Sequence, residues 1–73
     1  MKNPYIKSMN YQFNRIEEMA RRGLITLREA NERMIDEIDI ARENWRMNDC
    51  PGEWDTQTAY HKMYLILAKL TRD

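Results

Sequence analysis

The chain has 73 residues and makes one domain; a domain near this size buries only about 60% of the surface its unfolded form exposes, so its core is thin and a partner, metal or disulfide often completes it. One cysteine, Cys50, excludes an internal disulfide and fits a reducing compartment. Lys plus Arg equal Asp plus Glu at 12 each, which excludes the overall basic footprint of a nucleic-acid binder. The charge is nevertheless split. Residues 1–23 hold five cations against two carboxylates, net +3; residues 24–50 hold four against seven, net −3; the remainder balances. A basic first third beside an acidic middle suits a protein partner with its own mixed charge.

The proline in Asn3-Pro4 biases residue 3 away from helical geometry. Residues 1–8 are therefore expected as a short N-terminal arm, and residues 9–73 as a single helical domain. Tyr5 on that arm, with Lys2 and Lys7 around it, reads as an exposed aromatic anchor for a partner, against the blander reading of a frayed terminus. Nothing in Met1–Lys7 has the apolar core segment of a signal peptide. The longest apolar run, Met63–Ala68, is too short to span a bilayer.

A first helix is expected from a cap at Ser8 or Asn10 to Arg22. Phe13, Ile16, Met19 and Ala20 repeat at helical spacing, with Tyr11 beside them, and Arg15, Glu18 and Arg22 stand opposite. Gly23 supplies a residue that tolerates positive φ where this helix must stop. Thr26 and Glu29, three apart, form a capping box for the next helix, and Ile25 before the cap is placed to staple onto Ala30. A second helix then runs from Leu27 to about Met47, with Leu27, Ala30, Met34, Ile38, Ala41 and Trp45 as its seam. Its charged residues read as a solvated face. Asn48–Gly52 is a turn, and Trp54 packs near Trp45. A third helix starts after a cap at Asp55 or Thr56 and ends near Thr71. It is apolar on nearly every side, which predicts that it is the central, most buried helix; a short strand at Met63–Leu67 is the competing reading. The fold expected is all-α: a small three-helix domain with a short arm.

No catalytic, cofactor-binding or metal-ligating constellation is present in this pattern. His61 is the only histidine, and one His with one Cys cannot supply the roughly four ligands of a zinc site. Cys50 lacks a neighbouring base in sequence and reads as a small apolar residue rather than a nucleophile. Glu17-Glu18 and Asp36-Glu37 fall on helix faces instead of in a cleft. An enzyme is not expected, and neither is a cofactor. The hairpin could pass for a helix-turn-helix, but the second helix, which would be the reader, is net acidic and opposes phosphate. A protein-binding module remains.

Two resemblances bear on this. Ile16-x-x-Met19-x-x-Arg22-Gly23-Leu24-Ile25-Thr26-x-x-Glu29-Ala30 resembles the helical hairpin of short C-terminal domains appended to many bacterial proteins, which implies packing against another surface and no enzymology. Taken whole, through its length, the start Met1-Lys2-Asn3-Pro4-Tyr5-Ile6-Lys7 and the charge split, the chain resembles the small RNA-polymerase-binding regulators of lytic Xanthomonas phages. That resemblance implies a protein of the host bacterial cytoplasm that contacts the β′ N-terminal region and the β flap. Such a protein loosens the sigma factor to inhibit initiation and permits antitermination. The expected contact residues are Asn3, Tyr5, Lys7, Arg15 and Arg22, on a monomer that contacts neither membrane nor nucleic acid directly. The alternatives are a small anti-defence inhibitor, for example of a CRISPR complex, and a helix-turn-helix-like DNA-binding repressor.

Overall fold

The computed structural model describes residues 4–48 and 56–72. Those residues form three helices: α1 (Pro4–Arg21), α2 (Leu27–Met47) and α3 (Thr56–Arg72). No strand occurs among the described residues, and Met63–Leu67 is helical. The readings of Asn48–Gly52, Cys50 and Trp54 fall on residues 49–55, outside the described ones, except that Asn48 itself caps α2, its amide donating to the Asn44 carbonyl at 3.1 Å.

The turn between α1 and α2 follows the sequence closely. The Leu24 N–H donates to the Met19 carbonyl at 2.9 Å, and the Gly23 N–H to the Ala20 carbonyl at 3.1 Å. These crossed bonds make the Schellman end of α1, with Gly23 at φ 77. Two residues later the capping box is complete. The Glu29 N–H donates to Thr26 Oγ1 at 3.0 Å, and the Thr26 N–H donates to Glu29 Oε1 at 3.2 Å. Orphan groups at both helix ends are thus satisfied within seven residues, and the chain reverses with no loop to spare.

α1 begins earlier than expected. Residues 4–8 are helical and make its opening turns. Proline at a first helical position gives up no bonded amide, and its fixed φ suits the helix. Met9 lies in the core one turn before Phe13 and two turns before Ile16.

All three helices contribute to one core: Met9, Phe13 and Ile16 from α1, Ala30, Met34, Ile38 and Ala41 from α2, and Ala59, Met63 and Ile66 from α3. Tyr5, Met19, Ile25, Ile35, Tyr60 and Leu70 pack around it partly buried. The seam expected on α2 is buried through its middle four residues, while Leu27 at one end is exposed and Trp45 at the other is half-buried. α3 is not the central helix. Its outer side exposes Tyr64 at 59% and Leu65 at 55%. The tight α1–α2 hairpin is the closest pair, and α3 leans against it. An all-round apolar helix needs neighbours on every side, and two partner helices cannot provide them.

Candidate protein-binding surface

The outer side of α1 faces away from the core and carries Lys7, Tyr11, Arg15, Glu18 and Arg22, all exposed. Their spacing of four, four, three and four keeps them on one stripe. Arg22 Nε donates to Glu18 Oε1 at 2.9 Å, and the neighbouring Arg21 Nη2 pairs with Glu17 Oε2 at 3.0 Å. Among the described residues Lys7 and Arg15 make no ion pair. Between those two cations, four residues from each, stands Tyr11, 61% exposed.

Of the five residues expected at a partner contact, Lys7, Arg15 and Arg22 share this stripe. Tyr5 does not. It is half-buried and packed against the core, and it helps line a narrow cleft with Ser8, Glu37, Ile40 and Asn44. The helix beginning at Pro4 turns Tyr5 inward, where an arm would have left it free. Asn3 lies outside the described residues. The exposed aromatic on the cationic face is Tyr11, and the i, i+4 spacing Lys7–Tyr11–Arg15 was its signal in the sequence.

Beside the stripe, a groove of about 450 Å³ runs between α1 and α2. Arg15 and Met19 form one wall, with Arg33, Asp36, Glu37 and Ile40 opposite. Ile40 is 53% exposed. A second groove, between α1 and α3, is mainly apolar and lined by Ile6, Met9, Asn10, Ala59 and Lys62. Asn10 Oδ1 is buried there without a hydrogen-bond partner. Among the described residues no group of His, Cys, Asp and Glu could hold a metal ion, His61 is exposed, and no helix is long and apolar enough to cross a membrane. What this surface can do chemically is bind. It offers an aromatic ring for burial, fixed cations around it and a mixed-charge groove alongside.

Compared with known proteins, the chain matches no family model, no curated protein and no solved structure.

Proposed function

We propose that this chain is a phage-type regulator that binds bacterial RNA polymerase by protein–protein contact, inhibits sigma-dependent initiation and permits antitermination. The observation that carries the binding reading is the outer face of α1, where an exposed tyrosine stands between two exposed cations, Lys7 and Arg15. A tyrosine gives a large rigid contact at low entropic cost, and flanking cations steer it toward an acidic rim. Polymerase as the partner is supported by the whole-chain resemblance. In this reading Lys7, Tyr11, Arg15 and Arg22 seat against the β′ N-terminal region, and the β flap is contacted from the same side. The chain contributes no chemistry; it acts by occupying a surface that sigma needs.

The test is capture from nuclease-treated bacterial lysate with the tagged chain, followed by mass spectrometry. Recovery of β and β′ near stoichiometry, depleted in sigma and lost in Tyr11→Ala, supports the reading. Recovery of a nuclease complex instead, or a salt-sensitive shift of a DNA probe by the purified chain, replaces it with the anti-defence or repressor alternative.

A further inference from the structure

The stripe on α1 has a counterpart on α2. Read outward from the turn, α1 presents Arg22, Glu18, Arg15, Tyr11 and Lys7, in charge plus, minus, plus, aromatic, plus. Read the same way, α2 presents Glu29, Arg33, Asp36, Ile40 and Glu43: minus, plus, minus, aliphatic, minus. All ten side chains are exposed. The levels correspond as well. Arg15 lines one groove with Arg33, Asp36 and Ile40, and Ser8, beside Lys7, lines a cleft with Ile40 and Asn44, beside Glu43. The two stripes thus carry opposite signs level by level, with Tyr11 and Ile40 as the apolar fourth position of each.

Within one molecule this match is unused. The ion pairs among the described residues run along single helices, Glu17–Arg21, Glu18–Arg22 and Arg28–Glu32, and none joins α1 to α2. Arg15 of one stripe and Arg33, Asp36 and Ile40 of the other share the α1–α2 groove, and neither stripe can cover the other. A second copy can cover both. A two-fold axis parallel to the helices sets α1 of each copy antiparallel on α2 of the other and preserves every level. Arg15 then meets the partner's Asp36, Lys7 meets the partner's Glu43, and Tyr11 packs on the partner's Ile40, each contact occurring twice. We propose that the α1–α2 face is the interface of a two-fold homodimer, a four-helix bundle in which α1 of each copy runs antiparallel to α2 of the other and both α3 helices lie outside.

The dimensions fit. The molecule measures 39 × 18 × 18 Å, so its long face is on the scale of the roughly 800 Å² per partner that stable interfaces bury. This departs from the monomer expected from sequence, and it does not rest on the polymerase reading, because the chain alone is measured. The two readings meet at α1: a dimer withholds Tyr11 and Arg15 from any other partner.

The experiment is sedimentation equilibrium of the full chain under reducing conditions, so that Cys50 cannot crosslink copies, at low and high salt. Wild type is expected to show twice the 8.9 kDa chain mass at high concentration and to weaken as salt rises. Arg15→Glu and Asp36→Arg are each expected to weaken association about tenfold or more, because each places two like-charge contacts in the interface. The Arg15→Glu/Asp36→Arg double variant restores the pair across the interface and is expected to recover most of the loss. Ile40→Glu abolishes association. Circular dichroism checks that each variant stays helical, as substitution of exposed residues should allow. A wild type that remains monomeric, variants that dimerise as wild type does, or a double variant no better than the singles each overturn the proposal.

Discussion

Gly23→Ala isolates one contribution to stability with unusual clarity. Gly23 sits at φ 77, and a Cβ built there meets nothing within 4 Å. Any loss on substitution is therefore backbone conformational energy, with no steric clash added. Holding an L-residue in the left-handed region costs about 1–2 kcal/mol. Alanine also narrows the unfolded ensemble, which returns about 0.4–1 kcal/mol. The net expectation is a loss near 1 kcal/mol, or about 4–8 °C in Tm for a domain of this size. Gly23→Asn should lose less, because asparagine visits the left-handed region more readily, and Gly23→Val should lose more. Urea unfolding followed by circular dichroism at 222 nm measures the series. An alanine variant as stable as wild type, or an asparagine variant worse than the alanine one, would refute the assignment of the cost to φ alone.

Thr26→Ala removes the acceptor for the Glu29 amide and should cost about 1 kcal/mol, and Glu29→Ala in that background should cost more, because the bond from the Thr26 backbone N–H to Glu29 Oε1 survives the first substitution; a double-mutant cycle in urea checks this. Phe13 is fully buried, so Phe13→Ala should cost about 3–5 kcal/mol, enough to leave a domain this small largely unfolded at 37 °C by near-ultraviolet circular dichroism. At concentrations where the chain is monomeric, Tyr5→Ala and Tyr11→Ala should separate: the first lowers Tm while the second leaves Tm within about 2 °C of wild type but reduces recovery of polymerase subunits from lysate. The reverse pattern would return the anchor to Tyr5. Glu18→Gln, which frees the exposed Arg22, should change stability by no more than about 0.5 kcal/mol in the same urea assay.

The parts of this fold that could be read from sequence are those in which neighbouring residues decide the outcome. Gly23, Thr26 and Glu29 act on backbone within a few positions, so the turn and both helix ends beside it were legible. The buried middle of α2 was legible because Ala30, Met34, Ile38 and Ala41 keep helical spacing. Errors arose where the answer depended on what lies opposite. Tyr64 and Leu65 look like core in a periodicity argument, but α3 has helices on one side only, and exposure is set by that count. Asn3-Pro4 restrains residue 3 alone, and at a first helical position proline costs the helix nothing, so α1 opens at Pro4 and not at Ser8 or Asn10. That one boundary moved Tyr5 from surface to core edge and left Tyr11 to hold the cationic face. The correspondence between the stripes of α1 and α2 needs the level of each residue across the hairpin, which no one-dimensional pattern contains.

The paired helix ends around Gly23 and Thr26 also bear on how the molecule comes apart. Contacts between α1 and α2 span short stretches of chain and are aligned by a turn that stabilises itself, so this hairpin forms quickly. α3 joins it with fewer contacts and an exposed outer side. Amide hydrogen exchange should accordingly be fastest along Thr56–Arg72 and slowest around Phe13 and Met34, with the third helix lifting off before the hairpin yields.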